Sequence, residues 1–201
     1  MKENGYEYVD LGLPSGTMWA TYNVGASKPE DEGLLFQFGR VDGYKCGDRN
    51  NKFRTNKQNK QDTGDEYTPL STSGKIYKKY DILDLEDDAA HVHMGGAWKM
   101  PTNDQLDELY DNTTHEAVTI NELQGMLFTS NINNKQFFVP FVGYWYDGNY
   151  SSGLLSCIWS SQVHPSDVDY AYILNCNLSG YADINSGSRS YAFSVRGVFN
   201  K

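Results

Sequence analysis

The chain has 201 residues, a formal net charge of −9 and an aromatic fraction of 14%, led by fifteen Tyr and four Trp. This length suits a single domain over 1–201 with one hydrophobic core. The acidic balance disfavours nucleic acids and anionic membrane surfaces as partners, because both require clustered positive charge.

Two strands are predicted first along the chain. Tyr6–Leu13 alternates apolar and polar residues up to a Pro-Ser-Gly turn, and Thr17–Val24 carries Trp19. Ser27–Gly33 has an N-cap Ser, an acidic first turn and a terminal Gly, which predict a short helix. No apolar run reaches the length of a membrane span. Met1–Tyr8 also lacks the apolar part of a signal peptide, which leaves open a different export route or a removed leader.

The stretch Lys45–Glu66 is polar and highly charged, with Phe53 as its only aromatic residue before Tyr67. It is interpreted as a solvated excursion, extending to about residue 79, and not as a basic nucleic-acid patch. Four acidic residues dilute its positive charge, and aromatic residues are not interleaved with the basic ones.

A metal site is considered next for the segment Asp84–His93. Asp87 and His91, or His91 and His93, have a spacing that could begin such a site, but no third ligand is identifiable. The acidic run also lacks the glycine and the final glutamate of a calcium-binding EF-hand loop. We therefore expect no metal and no cofactor.

A second helix is predicted to begin at Thr102, where Thr102 and Gln105 match a capping box, and to end at Asn112. Leu106 and Leu109, with the neighbouring Tyr110, supply its apolar face. The later predicted strands are Gly125–Thr129, Gln136–Pro140, Val142–Tyr146, Cys157–Ser160, Tyr170–Asn175 and Phe193–Phe199. Two short helices followed by many strands predict an α+β domain.

No catalytic signature motif is present, and the chain is not expected to be an enzyme. Cys46, Cys157 and Cys176 are odd in number and widely spaced, so they are interpreted as unpaired thiols. His115 and His164 are isolated in the sequence and are interpreted as solvated side chains.

The segment Ser166–Tyr191 has an unusual composition. It uses Ser, Gly, Asn, Asp, Tyr, Ala and a few aliphatic residues, and it contains no Lys, Glu, Gln, Met, Trp, Phe, Pro, His or Thr. This set of residues is similar to that of antibody loops, which favours a binding face. A set of Ser-, Gly- and Asn-rich turns between two edge strands is the alternative interpretation.

Five strings of the sequence carry a family resemblance. They are VDLGLPSGTMWATYNVGA (9–26), GGAWKMPTNDQLDEL (95–109), FFVPFVGYW (137–145), IWSSQ (158–162) and FSVRGV (193–198). In order and spacing they resemble the Fibrobacter succinogenes major paralogous domain, found in Bacteroidetes and their phages. The resemblance is weakest over 45–79.

The resemblance implies a C-type-lectin-like fold, related to formylglycine-generating enzymes and to the variable proteins of diversity-generating retroelements. It implies pairing of Tyr6–Leu11 with Phe193–Phe199 and a ligand face built from Ser166–Tyr191. Retroelements mutate template adenines, so an Asn codon cannot become Lys, Glu, Gln, Met or Trp, and the segment obeys that rule. The expected exposed, variable, ligand-binding positions are Asp167, Asp169, Tyr170, Ile173, Tyr181, Asp183, Ile184, Ser186, Ser188 and Tyr191.

The resemblance thus implies a non-catalytic receptor-binding or adhesin domain of a virion or bacterial surface. Its partner would be a protein or glycan on another cell, and the oligomeric state is left open. A fixed structural or carbohydrate-binding paralogue of the bacterial envelope is the alternative. An oxidase of the formylglycine-generating type is a third interpretation. It is disfavoured because such enzymes use a reactive cysteine pair near the C-terminal end, whereas Cys157 and Cys176 stand nineteen positions apart and Cys176 lies inside the expected variable segment.

Several residues are expected to serve the scaffold alone. Trp98, Met100 and Pro101 lead into the capped helix, and the large side chains of Trp19 and Trp159 favour the core. Arg196 is expected to be a buried, hydrogen-bonded strut in the last strand.

Overall fold

A computed structural model describes residues 1–48 and 71–201. The polar excursion expected over 45–79 therefore lies mostly outside the described residues. Its described end, 71–79, is irregular chain, yet Tyr77 within it is fully buried. The hydroxyl of Tyr77 donates a hydrogen bond of 2.7 Å to the carboxylate of Asp87, which fixes this stretch against the buried interior.

The described chain combines two α-helices with many short strands. The helices are α1 (Ala89–Met94) and α2 (Asn103–Asp111), and a 3-10 turn at Leu85–Asp87 precedes α1. In chain order the strands are β1 (Lys2–Glu3), β2 (Tyr6–Asp10), β3 (Thr17–Ala20), β4 (Leu34–Gln37), β5 (Tyr44–Lys45), β6 (Thr113–Ile120), β7 (Leu123–Ser130), β8 (Gln136–Pro140), β9 (Tyr144–Tyr146), β10 (Asn149–Ser151), β11 (Leu155–Val163), β12 (Tyr170–Asn177), β13 (Ala182–Ser188), β14 (Ala192–Ser194) and β15 (Val198–Asn200). This composition agrees with the predicted α+β class.

Within the described residues the strands form three sheets. The first has the order β1-β2-β3-β15, and the third has the order β6-β7-β8. The large second sheet has the order β10-β9-β14-β11-β12-β13, with β4 and β5 joined to it through β14. β11 and β14 pair in parallel, and the other pairs are antiparallel.

The direct pairing expected between Tyr6–Leu11 and Phe193–Phe199 is wrong. β3 lies between β2 and β15, so that Trp19 in β3 has a paired strand on each side. The physical reason is the turn after Leu13, where the N–H of Gly16 donates to Leu13 O and Gly16 has a φ of +74°. This tight turn folds β3 back beside β2, and β15 then pairs with the remaining edge of β3.

The predicted strand Phe193–Phe199 is divided between two sheets. Ser194 pairs with Leu35 in the large sheet, whereas Val198 pairs with Trp19 in the first sheet. The chain passes from one sheet to the other between these residues. The sequence FSVRGVF was predicted as one strand, so this crossing was not expected.

The helix expected over Ser27–Gly33 does not form. Both the N–H and the hydroxyl of Ser27 donate to the carboxylate of Asp31, at 3.1 and 2.6 Å, and this closes a turn. An N-cap serine would instead accept a hydrogen bond from the first helical turn. The N–H of Leu34 donates to Val24 O, so the chain turns back at this point and enters β4.

The two helices begin at side-chain caps. α2 has the predicted capping box, in which the N–H of Gln105 donates to Thr102 Oγ1 and the N–H of Thr102 donates to Gln105 Oε1, and it ends at Asn112 as predicted. α1 was not predicted. Its cap is Asp88, whose carboxylate accepts the N–H of His91 at 2.9 Å and the N–H of Met100 at 2.8 Å.

Two core clusters enclose the large sheet. The first core cluster includes Phe36, Phe38, Tyr77, Trp98, Met100, Cys157, Trp159, Ala171, Ile173, Phe193 and Phe199. The second core cluster includes Leu11, Trp19, Leu106, Leu109, Met126, Phe128, Phe137, Ile158, Leu174, Cys176, Ala182 and Val198. Trp19, Trp98 and Trp159 have no exposed surface, which confirms their predicted place in the core.

Candidate ligand-binding face

The hairpin β12–β13 contains most of the predicted site residues. Its register runs from Tyr170 opposite Ser188 to Cys176 opposite Ala182. β11 pairs with the other edge of β12. β12 is therefore an interior strand, and β13 is the edge strand of the large sheet.

The two sides of β12 pack against different core clusters. Ala171 and Ile173 belong to the first core cluster, and Leu174 and Cys176 belong to the second. Ile173 is only 5% exposed and lies opposite Trp159 of β11. The prediction that Ile173 is exposed is therefore wrong, because β12 is covered on both sides.

A polar network surrounds Asp183 in β13. Oδ1 of Asp183 accepts a hydrogen bond from Asn175 Nδ2 at 3.1 Å. Its Oδ2 accepts from the hydroxyl of Tyr181 and from Asn185 Nδ2, both at 3.1 Å. Three neutral donors thus orient one half-buried carboxylate. We call these four residues the Asp183 network.

Three tyrosines form a second group, which we call the tyrosine stack: Tyr144, Tyr146 and Tyr191. The rings of Tyr146 and Tyr191 are stacked with centroids 4.3 Å apart, and Tyr144 lies 5.3 Å from Tyr191. Partial burial raises the pKa of Tyr191, and the nearby phenols of Tyr146, Tyr144 and Tyr170 raise it further. The hydroxyl of Tyr191 therefore remains neutral near pH 7.

Both groups border the first core cluster. Tyr144 and Tyr191 pack against that cluster, and Tyr191 stacks on Phe193 with centroids 5.5 Å apart. On the other flank, the thiol of Cys157 contacts Asn175 Oδ1 at 3.6 Å. We refer to the tyrosine stack and the Asp183 network together as the ligand face.

Gly187 allows β13 to approach Phe193. A Cβ atom at this position would lie 2.6 Å from the Phe193 ring, closer than carbon atoms can pack. Any larger residue at 187 would push β13 away from the aromatic residues of β14. The hairpin is thereby packed closely against the first core cluster.

Two predicted residues, Asp167 and Asp169, lie in the turn before β12. Asp167 is exposed, and its Oδ1 accepts the N–H of Asp169 at 2.9 Å. Asp169 is half-buried, its backbone oxygen accepts the N–H of Arg189 at 2.8 Å, and its charge acts on Arg189. Asp169 therefore helps to hold the buried Arg189 in place, which is a structural role.

The predicted residues Ile184, Ser186 and Ser188 project from the side of β13 opposite to Asp183, because side chains alternate along a strand. Ile184 is half-buried and packs against the second core cluster. Tyr170 lies opposite Ser188, at the start of β12, and is 38% exposed. The ten predicted positions are therefore divided between two sides of the hairpin, and they do not form one surface.

Buried arginines hold the hairpin and the strands behind it. Arg189 is fully buried over the ring of Phe38, and its Nη1 donates to Val168 O at 2.7 Å. Arg196 is also fully buried and donates to Asn23 Oδ1, Ala20 O and Phe138 O at 3.0 to 3.1 Å. Burial lowers the pKa of Arg196 to about 9. Arg196 is thus the buried strut that the sequence predicts, although it lies between β14 and β15.

The cysteines do not form a reactive pair. Cys157 and Cys176 lie on adjacent strands and belong to different core clusters, on opposite sides of the sheet. Burial raises the pKa of Cys176 to about 12 and also raises that of Cys157. Burial likewise raises the pKa of Cys46 to about 12. Thiolate chemistry at neutral pH requires the opposite shift.

The two histidines considered as metal ligands take part in other contacts. A ring nitrogen of His91 lies 3.0 Å from Trp98 O, and one of His93 lies 2.9 Å from Val41 O. Asp87 accepts hydrogen bonds from Ser73 and Tyr77. Over residues 1–48 and 71–201, no three acidic, His or Cys side chains are grouped as a metal site.

Four residues of the face were not predicted from the sequence: Tyr144, Tyr146, Asn175 and Asn185. One signal was present, because Tyr144-Trp145-Tyr146 alternates and Trp145 is only 4% exposed. A buried tryptophan places its two neighbours on the other side of the strand. No comparable signal marks Asn175 and Asn185, whose role depends on the pairing of β12 with β13.

In the part of the chain that the structure describes, no helix has the length and apolar character needed to cross a membrane. Comparison with family models, with curated proteins and with solved structures gave no match.

Proposed function

We propose that the chain is a non-catalytic ligand-binding domain of the C-type-lectin-like class. It uses the ligand face to bind a protein or glycan on another cell. The observation that carries this proposal is that the tyrosine stack and the pre-oriented carboxylate network both border the first core cluster of the large sheet. Tyrosine provides a large contact area with few rotatable bonds, and it is enriched where binding energy is concentrated.

The rigidity of the supporting strands favours binding. Asp183 is oriented by three donors before any ligand arrives, and the sheet behind it is packed on both sides. Pre-oriented groups lose less conformational entropy on association and therefore contribute more to affinity.

We further propose that the edge strand β13 is diversified by a retroelement, in a receptor-binding or adhesin protein of a virion or bacterial surface. Tyr181 is 53% exposed, and Asp183, Ser186 and Ser188 are partly exposed, so these positions tolerate change. Ile173 is left out of the proposed variable set because it is core. Sequencing the coding region in related isolates tests this proposal, since diversification predicts differences confined to the exposed positions.

A fixed envelope paralogue is the second candidate, and one observation favours it. Much of Ser166–Tyr191 is buried, including Ala171, Leu174 and Cys176, so a small-residue composition also follows from packing alone. A reverse-transcriptase gene beside a near-copy of the coding sequence would exclude this candidate. Identical sequences across isolates would instead favour it.

The binding function is tested with matched tyrosine variants. Tyr146→Ala removes an exposed ring of the stack, and Tyr80→Ala removes an exposed tyrosine that lies outside the ligand face. Both are screened against a glycan array and a display library of bacterial surface proteins. We expect Tyr146→Ala alone to lose the ligand, because a central aromatic contact contributes roughly 2 kcal/mol or more. Equal binding by both variants would contradict the proposed face.

A further inference from the structure

We infer that the ligand face recognises a cationic group, namely an Arg or Lys side chain displayed by a protein ligand. This inference rests on the proposed function, since it names the chemistry of the ligand for the same face. It is carried by the charges around the face, by the partners of Asp183 and by the exposed tyrosine rings.

The ligand-face strands contain no accessible cation. Between Lys135 and Arg189 the sequence has no Lys or Arg, and Arg189 is fully buried with its guanidinium turned toward backbone oxygens. A phosphate, a sulfated glycan or a sialic acid would therefore find no Lys or Arg of these strands to bind. Nearby negative charges would repel such a ligand.

The same stretch contains four acidic residues: Asp147, Asp167, Asp169 and Asp183. The charge of Asp169 acts on Arg189, whereas the three recorded donors to Asp183 are all neutral. In the described residues no ion pair neutralises Asp183, so its negative charge is available to a ligand. A carboxylate oriented in this way forms its strongest hydrogen bonds with cationic donors.

The tyrosine stack supplies the second attraction. Tyr146 is 39% exposed and is followed directly by Asp147, which begins the turn into β10. A guanidinium or ammonium over a tyrosine ring is attracted to the negative ring face, by about 0.5–1 kcal/mol at exposed sites and by more when water is excluded. The planar guanidinium of arginine can also lie flat on such a ring.

A neutral sugar is the strongest competing ligand, because sugar rings also stack on tyrosine and bind Asp and Asn side chains. The two ligands respond differently to loss of charge. A sugar depends on the hydrogen-bonding capacity of residue 183, whereas a cation depends on its negative charge. The formal net charge of the chain is the same for every single Asp→Asn variant, so long-range attraction can be matched between variants.

The experiment pans a phage library of random dodecapeptides against the immobilised full-length protein. Enriched peptides are then synthesised, and their Kd is measured for the parent chain, Asp183→Asn, Tyr146→Ala and Asp111→Asn. Asp111→Asn is the matched control, because it removes an exposed acid at the end of α2, outside the ligand face. Melting curves verify that each variant is folded.

We expect the enriched peptides to be rich in Arg and Lys. Their Kd should rise at least about tenfold with Asp183→Asn and with Tyr146→Ala, which corresponds to 1.4 kcal/mol or more each, and should change less than about twofold with Asp111→Asn. Replacing the Arg and Lys of the peptide by Gln should abolish binding. If Asp183→Asn is misfolded, Tyr146→Ala and the Gln peptides decide the question.

Three outcomes would overturn the inference. Acidic or neutral consensus peptides would show that the ligand class is wrong while the face itself binds. A glycan-array signal that Tyr146→Ala removes and Asp183→Asn retains would assign the face to a neutral sugar. Equal binding of basic peptides by all four proteins, or no enrichment at all, would count against both the cation and the proposed face.

Discussion

The two strands of the hairpin β12–β13 have similar compositions but occupy different environments. β12 is covered on both sides: Ala171 and Ile173 are buried on one side, and Leu174 and Cys176 are buried on the other. β13 is an edge strand in which only Ala182 and Gly187 are buried. The composition indicates a hairpin of small residues. The pairing of its strands within the sheet decides which strand is buried, namely β12, and which is partly exposed, namely β13.

This difference limits which positions the proposed diversification could change. β12 contributes residues to a core cluster on each of its two sides, whereas every second residue of β13 faces the same side as Asp183. Arg189, which directly follows β13, is fully buried and belongs to the scaffold. The variants below test whether stability is concentrated in β12 and binding in β13.

The largest expected effect is that of Leu174→Ala in β12. Leu174 is fully buried in the second core cluster, and truncating such a side chain typically costs about 2–5 kcal/mol in the free energy of unfolding. Ile184→Ala, directly across the hairpin, is the matched control and should cost less because Ile184 is only half-buried. Denaturant unfolding measures both. Equal losses would mean that the two strands do not differ as described.

Arg189→Met should have the second largest effect, a loss of about 2–4 kcal/mol in the free energy of unfolding. Each buried oxygen that loses its hydrogen-bond donor destabilises the fold by roughly 1–3 kcal/mol. The oxygens concerned are those of Val168 and Tyr77. Methionine preserves part of the volume, so the effect reports mainly on hydrogen bonds. Hydrogen exchange should increase at the turn before β12 and at 71–79. A stability equal to that of the parent would refute the strut role of Arg189.

The sequence predicted the features that depend on local chemistry. The capping box of α2 with its stop at Asn112, and the bounds of β8, agree with the structure because neighbouring residues determine them. The buried Trp residues and Arg196 were predicted from size and from the cost of burying a charge.

The sequence did not predict β13 or the full ligand face. Ala182–Ser188 has no apolar alternation, and it becomes a strand because β12 supplies its hydrogen-bonding partners. Tyr146 and Tyr191 are far apart in the chain and meet only through the pairing of β9 with β14. The expected helix over Ser27–Gly33 failed because a serine that can cap a helix also donated to a nearby aspartate.

Substitution of Gly180, in the turn between β12 and β13, should cause the next largest loss of stability. Gly180 has a φ of +82°, and a Cβ there would meet no atom within 4 Å, so Gly180→Ala tests backbone conformation without a steric clash. Alanine in this left-handed region costs about 1–2 kcal/mol. Gly180→Asn is the control, since Asn tolerates this region better. Thermal melting should rank the parent above Asn and Asn above Ala, and the reverse order would contradict the assigned turn.

Substitution on the display side of β13 should have little effect on stability. Asn185→Ser removes an exposed side chain that donates to Asp183, and surface changes of this kind usually alter the free energy of unfolding by less than about 0.5 kcal/mol. The matched change in β12 is Asn175→Ser, which removes a half-buried side chain that also contacts Cys157. Denaturant unfolding should show the larger loss for Asn175→Ser. A larger loss for Asn185→Ser would make β13 a part of the scaffold.

The smallest effect is a change in titration at Tyr181, and it reports directly on the Asp183 network. The hydrogen bond from the Tyr181 hydroxyl to Asp183 raises the pKa of Tyr181, and the carboxylate charge adds to the shift. A raised pKa in the folded state stabilises the fold below the unfolded pKa near 10, and this contribution is lost as pH rises through the folded pKa. Asp183→Asn should therefore lower the pKa of Tyr181 toward its ordinary value, while Asn185→Ser should change it less because the carboxylate remains. The measurement is an NMR titration of the ring-carbon signal that Tyr181→Phe removes from the tyrosine spectrum. An unchanged titration in Asp183→Asn would mean that the Tyr181 hydroxyl does not bond this carboxylate in solution. The claim that Asp183 is pre-oriented by Tyr181 would then be contradicted.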